Sequence, residues 1–137
     1  MSRRTLFAFL GALVVSTLLL PGLAEAGRRG RWELLGQTNV TDRLDHDRIV
    51  VTAAQGTFRS IKLTVLDHAV QFREVKLHFG NGGSQTVALR DRIRAGGESR
   101  VIDVEGAGDR VIQSIELTYD AQTLGGKTAR VRVFGKN

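Results

Sequence analysis

Cysteine is missing from this chain, and proline and aromatic residues are scarce. Without cysteine the protein has no disulfide, no thiolate nucleophile or metal ligand, and no cysteine to carry a lipid. The one proline is Pro21, so later turns must rely on glycine, asparagine and aspartate. Aromatic residues make up 6% of the chain, too few for a surface rich in stacking rings. The fold must therefore depend on an aliphatic core without covalent links.

The first 26 residues have the three parts of a signal peptide. Arg3 and Arg4 supply positive charge, residues 6–20 form an apolar run, and residues 24–26 (Ala-Glu-Ala) match a signal peptidase site. The run is shorter than the ~20 residues that a spanning helix needs, so we expect cleavage before Gly27 and no transmembrane anchor. The product is then periplasmic or secreted. The general secretory route fits this signal better than the twin-arginine route, which stays open as an alternative.

The remaining residues, 27–137, are predicted to form one domain. Their number, 111, suits one hydrophobic core and leaves no room for a second. Removal of Arg3, Arg4 and Glu25 with the signal leaves 18 basic and 13 acidic residues, a net charge of +5. This charge favours weak attraction to anionic surfaces.

Short β-rich runs alternate with glycine, asparagine and aspartate clusters, and no stretch keeps a helical period. This pattern predicts an all-β domain, an antiparallel β-sandwich of about eight strands with a jelly-roll-like or Greek-key arrangement. The predicted strands are 31–35, 48–52, 58–66, 69–79, 84–89, 99–104, 111–119 and 129–134.

Details of the alternation predict how some strands are joined and which residues they bury. In residues 69–79 the apolar residues change from even to odd positions, which predicts a bulge near Arg73 and Glu74. A tight turn at residues 67–68 and a glycine-rich turn at residues 80–83 predict a three-strand meander. In the strand 111–119, Val111 is expected to share the buried face.

Several segments together resemble the YaaI-like family of small exported bacterial proteins of unknown function. They are residues 34–36 (LLG), 58–63 (FRSIKL), 110–115 (RVIQSI) and 129–135 (ARVRVFG), preceded by the signal peptide. The resemblance implies a periplasmic β domain and transfers no catalytic residue. Some members of the family carry a cysteine pair that this chain lacks.

An acidic segment is a candidate calcium site. Asp42, Asp45 and Asp47 supply carboxylate oxygens, and His46 lies among them. The spacing lacks the glycine turn and terminal glutamate of an EF-hand, and Arg43 and Arg48 lie close enough in sequence to neutralise the carboxylates. An ion-paired surface loop is the preferred interpretation, with calcium, or a transition metal through His46, as alternatives; we expect no cofactor.

The sequence gives little support for catalysis. His68 and His78 are expected at the surface, and no serine lies in a G-x-S-x-G motif. A hydrolase that uses carboxylates remains an alternative, with the candidates Asp67, Glu74, Asp103 and Glu116. We therefore expect a noncatalytic protein.

The candidate ligand-binding residues are Arg28, Arg29, Arg31 and Trp32. The three arginines form the densest basic run, and Trp32 is either a stacking ring or a core residue. These features indicate an envelope protein that binds an anionic glycan, a lipid head group or a protein partner. Binding of a protein through an exposed edge strand near residues 99–104 is an alternative. Export and the few aromatics argue against nucleic acid.

Overall fold

The structure is a computed structural model that describes residues 30–51, 57–106 and 111–137. The predicted signal peptide and the candidate ligand residues Arg28 and Arg29 lie outside the described residues. Trp32–Asn137 forms one compact unit that contains nearly all of the described residues. Within the described part of the chain, no helix is long and apolar enough to cross a membrane.

The described residues form nine strands and one short 3₁₀ helix. The strands are β1 (Glu33–Val40), β2 (His46–Val50), β3 (Ser60–Leu66), β4 (Val70–Phe79), β5 (Ser84–Val87), β6 (Asp91–Ile93), β7 (Ile102–Asp103), β8 (Ile112–Tyr119) and β9 (Ala129–Lys136). The 3₁₀ helix, Ala121–Leu124, connects β8 to β9. Each run predicted as a strand thus overlaps one, although only two residues of the segment 99–104 are in a strand.

Two antiparallel sheets pack together, which confirms the predicted all-β sandwich. The four-stranded sheet has the order β1-β9-β3-β7, and the five-stranded sheet has the order β2-β8-β4-β5, with β6 also paired to β4. Pairs such as β1 with β9 join residues that are far apart in the sequence. The edge position expected for residues 99–104 is found, since β7 lies at one edge of the four-stranded sheet.

The core lies between the sheets and is built by two-residue alternation. In β3, Ile61, Leu63 and Val65 are fully buried while the residues between them are half-buried. Two glycines of the four-stranded sheet leave no room for a side chain. A Cβ added at Gly36 would lie 2.6 Å from Ile49 Cγ2, and one added at Gly135 would lie 2.7 Å from Phe58 Cδ1.

The predicted bulge in β4 is confirmed. Its pairing with β8 shifts between Phe72 and Glu74, so that both Phe72 and Val75 are buried. A second shift, which the sequence pattern did not predict, occurs between His78 and Phe79, opposite Ser114 and Ile112 of β8.

The second irregularity corrects the prediction for Val111. Ile112 is 2% exposed, whereas Val111 is 53% exposed. The parity that holds from Ile115 to Tyr119 therefore does not extend back to Val111, because the pairing is irregular near Gln113.

The predicted meander is also wrong. β4 and β5 form the expected hairpin, but β3 belongs to the other sheet. The turn at residues 67–68 carries the chain from one sheet to the other, and Asp67 adopts a φ of 79° there. Aspartate tolerates this left-handed conformation better than most residues, but the turn residues do not reveal which sheet the next strand joins.

Candidate functional site

The outer surface of the four-stranded sheet carries a row of cations along β9. Val131 and Val133 face the core, so the side chains of Arg130, Arg132 and Lys136 lie on the opposite surface, where they are half-buried. Same-face positions of a strand are two residues, or about 6.7 Å, apart. The three cations therefore extend along most of β9.

Aromatic and amide side chains accompany this row. Phe134 belongs to the same outer surface and lies between Leu34 of β1 and Lys62 of β3. Arg132 pairs with Gln37 of β1, and its Nε donates a hydrogen bond to Gln37 Oε1 at 3.1 Å. The pairing with Gln37 holds the guanidinium beside the sheet.

Trp32, immediately before β1, lies close to two ammonium groups. Lys62 Nζ is 4.5 Å from the centroid of the ring and Lys136 Nζ is 5.1 Å from it, both within the range of cation–π attraction. Trp32 is only partly buried and is not among the core residues. The core interpretation of Trp32 is therefore wrong, and its ring belongs to the outer surface.

We refer to this surface as the basic face. It consists of Trp32, Lys62, Arg130, Arg132, Phe134 and Lys136. Of these six residues, only Trp32 was among the predicted ligand-binding residues. The alternation of Arg130, Arg132, Phe134 and Lys136 with buried residues is the signal from which the row on β9 could have been predicted.

One carboxylate contacts the basic face from its β7 side. Lys62 Nζ donates to Glu98 Oε1 at 3.2 Å, and the backbone of Glu98 forms a bridge with that of Thr64. The side chain of Lys62 is 15% exposed and that of Glu98 is 57% exposed. The carboxylate is thus the more accessible member of the pair.

Of the predicted basic run, the structure describes only Arg31, which is exposed. The contribution of Arg28, Arg29 and Arg31 to binding stays a prediction.

The three candidate calcium ligands differ in their surroundings. Asp42 and Asp45 are exposed, while Asp47 Oδ2 accepts a hydrogen bond from the Tyr119 hydroxyl at 2.7 Å. Burial, together with this bond to Asp47, raises the pKa of the Tyr119 hydroxyl. In residues 30–51, 57–106 and 111–137 no group of three or more histidine, aspartate or glutamate side chains is placed to hold a metal ion. Calcium binding stays a prediction without such a group to support it.

A different cluster lies on the outer surface of the five-stranded sheet. His46 of β2 and His78 of β4 flank Glu116 of the central strand β8. His46 Nε2 lies 2.7 Å from Glu116 Oε2, His78 Nε2 hydrogen-bonds Oε1, and Arg48 Nη2 is 3.8 Å from Oε1. We call His46, His78 and Glu116 the imidazole cluster.

The imidazole cluster stabilises a charged carboxylate. The hydrogen bonds from His78 and His46 lower the pKa of Glu116 from 4.5 to about 2. The cluster was not predicted, because its members meet only through strand pairing. His78 was expected on the outer surface and does lie there. His68, expected in a turn, is found in one, with Nδ1 2.8 Å from the carbonyl oxygen of Ala69.

A family comparison accounts for most of the chain. The sequence profile of a domain of unknown function, DUF2541, matches residues 11–135. The chain belongs to the DUF2541 family. No curated protein sequence matches this DUF2541 chain.

A solved structure shares the fold. AlgX of Pseudomonas aeruginosa is similar to the DUF2541 chain with a TM-score of 0.50 and 16% sequence identity. The similarity covers 84% of this chain and 29% of AlgX, so the DUF2541 chain corresponds to less than a third of that protein. At this identity the similarity shows the β fold alone.

Proposed function

We propose that this DUF2541 protein is a noncatalytic, exported binding protein whose basic face binds an anionic glycan. The observation that carries the proposal is the proximity of Trp32 to Lys62 and Lys136, on the same surface as Arg130 and Arg132. This surface combines a ring with several cations, and glycans that carry carboxylates present groups complementary to both.

The chemistry of each group supports this ligand class. An aromatic ring packs against the apolar face of a sugar, while its neighbours donate hydrogen bonds to hydroxyls. Guanidinium groups bind carboxylates in a bidentate manner. The arginines and the ring are spread along β9, so the arrangement suits an extended polymer more than a small molecule.

Glu116, one of the four carboxylates considered for a hydrolase, is not suited to act as a general acid. Two imidazoles and Arg48 surround its carboxylate, and the pKa of about 2 keeps it charged near neutral pH. A carboxylate in this state does not donate a proton to a leaving group, which a glycoside hydrolase requires.

Export and family relation are also part of the proposal. The signal-like residues 1–26 support delivery to the periplasm or the medium, where envelope glycans are found. The finer relation to the YaaI-like family rests on the strand sequences quoted above and is consistent with a β-sandwich domain.

Lipid head groups and protein partners are the alternative ligands. Anionic head groups present the same charge, and the short edge strand β7 offers backbone groups to a partner strand. The combination of ring and cations favours the glycan, because a lipid surface would need only the charge.

The direct test is titration calorimetry with polygalacturonate, using protein purified from cells that express the full-length sequence. We expect binding to polygalacturonate and none to dextran, a neutral polysaccharide. Trp32→Ala and the double variant Arg130→Gln/Arg132→Gln should each weaken binding. The matched control is Arg43→Gln/Arg92→Gln, which removes two exposed arginines outside the basic face.

The result also distinguishes the alternatives. Binding to phosphatidylglycerol vesicles that is as strong as binding to polygalacturonate and insensitive to Trp32→Ala would favour a lipid surface. Equal losses in the control and the test variants would show that net charge alone is responsible. Either result would reject the glycan proposal.

A further inference from the structure

The position of Glu98 is unexpected on a surface that would bind anions. Its Oε1 lies 3.2 Å from Lys62 Nζ, and the same Nζ lies 4.5 Å from the centroid of Trp32. A carboxylate of the protein thus occupies the position where Lys62 would otherwise meet a carboxylate of a ligand.

The backbone holds Glu98 in this position. Val65 N donates to the carbonyl oxygen of Gly97 at 3.0 Å, and Ser99 N donates to that of Leu63 at 2.8 Å. Buried Ser99 adds a side-chain bond, since its Oγ accepts from Leu63 N at 2.9 Å. Glu98 therefore lies on a segment that is fixed to β3 on both sides, not on a loose loop.

The far side of the segment is fixed as well. The guanidinium of Arg100 donates to the carbonyl oxygens of Leu89 at 3.0 Å and Ala88 at 3.3 Å. Displacing the whole segment would break these bonds, whereas rotating the exposed Glu98 side chain away from Lys62 breaks only an exposed ion pair of small energy. The carboxylate can leave while the backbone stays.

We propose that Glu98 is a built-in competitor for Lys62, and that a ligand gains access to this ammonium group only by displacing the Glu98 carboxylate. The inference rests on the proposed function of the basic face. It also gives the face a direction across its strands. The β3 side, where Lys62 lies next to Glu98, disfavours a second anion, whereas Arg130 and Arg132 lie on β9, one strand further from Glu98.

The ligand class follows from this direction. The face should favour a glycan that places a ring on Trp32 and its carboxylates near the two arginines. A glycan with a charge on every ring is penalised next to Lys62 by like-charge repulsion from Glu98.

The test is the affinity of Glu98→Gln for polygalacturonate, measured by titration calorimetry at low salt. We expect binding to be about two- to fivefold tighter than in the unmodified protein, the range that corresponds to an exposed ion pair. Glu105→Gln is the matched control, because it makes the same charge change beyond the end of β7. It should leave the affinity nearly unchanged, and thermal unfolding should show that both variants are folded.

A second pair of variants tests whether Glu98 acts through Lys62. In a Lys62→Gln background, Glu98→Gln should increase the affinity for polygalacturonate by less, because there is no longer an ammonium group for the ligand to contact. The same gain in both backgrounds would indicate general electrostatics and would overturn the competitor role. Binding of polygalacturonate by Glu98→Gln that is weaker than in the unmodified protein, or unchanged, would also overturn the competitor role.

These outcomes are separate from failure of the proposed function. If Arg130→Gln/Arg132→Gln weakens binding and Glu98→Gln does not tighten it, the basic face binds glycan and the competitor role is wrong. If polygalacturonate does not bind the unmodified protein, or binds the Arg130→Gln/Arg132→Gln variant equally well, the proposed function itself fails and the role of Glu98 falls with it.

Discussion

The outer surfaces of the two sheets use charge in opposite ways. On the five-stranded sheet, one carboxylate, that of Glu116, is surrounded by two imidazoles and Arg48. On the four-stranded sheet, Lys62 is paired with Glu98, while Lys136 lies against Trp32, a neutral ring. The first surface satisfies its central charge with neighbouring side chains, whereas the second places Lys136 next to an uncharged ring.

The difference shows where this sandwich separates stability from binding. A carboxylate whose oxygens are hydrogen-bonded contributes to the folded state and has little capacity left for a ligand. A cation beside an aromatic ring gains less from its neighbour and can gain more from an incoming anion. We therefore expect substitutions in the imidazole cluster to alter stability, and substitutions in the basic face to alter binding.

The largest expected effect comes from the side of β8 that faces away from the imidazole cluster. Leu117 is fully buried, so Leu117→Asp should prevent folding. An unpaired buried charge costs several kcal/mol, a large part of the roughly 5–15 kcal/mol that stabilises a domain. Circular dichroism and thermal unfolding provide the measurement. Gln113→Asp is the control, because Gln113 is exposed on the same strand; equal stability of the two variants would mean that the two sides of β8 have been misassigned.

A smaller loss is expected at Gly36, where β1 packs tightly against β2 of the other sheet. The Cβ of Gly36→Ala would lie 2.6 Å from Ile49 Cγ2 and 2.9 Å from the carbonyl oxygen of Val50. Forced overpacking of this kind costs about 1–3 kcal/mol. Gly80→Ala is the matched control, since its nearest contact would be 3.7 Å, at Val111 Cβ. Chemical denaturation should separate the two variants, and an unchanged midpoint for Gly36→Ala would show that the sheets can separate at this point without cost.

The imidazole cluster should contribute a pH-dependent part of the stability. The pKa of Glu116 is lowered from 4.5 to about 2 in the folded protein, so its contribution is fully present above pH 4.5 and is lost as the pH falls through 2. We expect Glu116→Gln to be less stable by about 1 kcal/mol at neutral pH. The difference in the free energy of unfolding between Glu116→Gln and the unmodified protein should disappear as the pH falls from 4.5 to 2. Denaturation curves across this range measure it, and a gap that is constant with pH would contradict the assigned role of the carboxylate.

The smallest effect on stability is expected for the basic run near the N-terminus. Replacing Arg28, Arg29 and Arg31 by Gln should leave thermal unfolding unchanged and should weaken binding to polygalacturonate at low salt. The loss should fade as salt shortens the screening length from ~10 Å at 0.1 M to ~3 Å at 1 M. Retention on immobilised polygalacturonate across a salt series is the measurement. Retention curves identical to those of the unmodified protein would assign all binding to the basic face.

Local alternation predicted much of the fold but not its assembly. It identified the runs that became β3, β4 and β9, and it placed the bulge near Arg73 correctly, because burial of alternate residues is a property of each strand by itself. It did not show that the turn at Asp67 leads to the other sheet. That choice depends on pairing between distant strands, as between β9 and both β1 and β3.

The candidate site was predictable to the same degree. Trp32 could be named from its residue type, and Arg130 and Arg132 from their parity. The proximity of Trp32 to Lys62 and Lys136 requires the order β1-β9-β3, which no local pattern contains. Glu98 was not anticipated for the same reason, since its contact with Lys62 joins residues 36 positions apart.

The single tryptophan of this chain gives the protein its own optical reporter. Indole emission responds to nearby charge and to solvent, and Trp32 is partly buried with an ammonium group 4.5 Å and another 5.1 Å from its centroid. A molecule that covers the ring, or that draws either ammonium group away, changes the charge and the solvent around the indole and therefore its emission. The one tyrosine, Tyr119, is buried in the other sheet and bonded to Asp47, so its signal reports the integrity of the sandwich. Occupancy of the face and folding of the domain can thus be followed separately in one unlabelled sample.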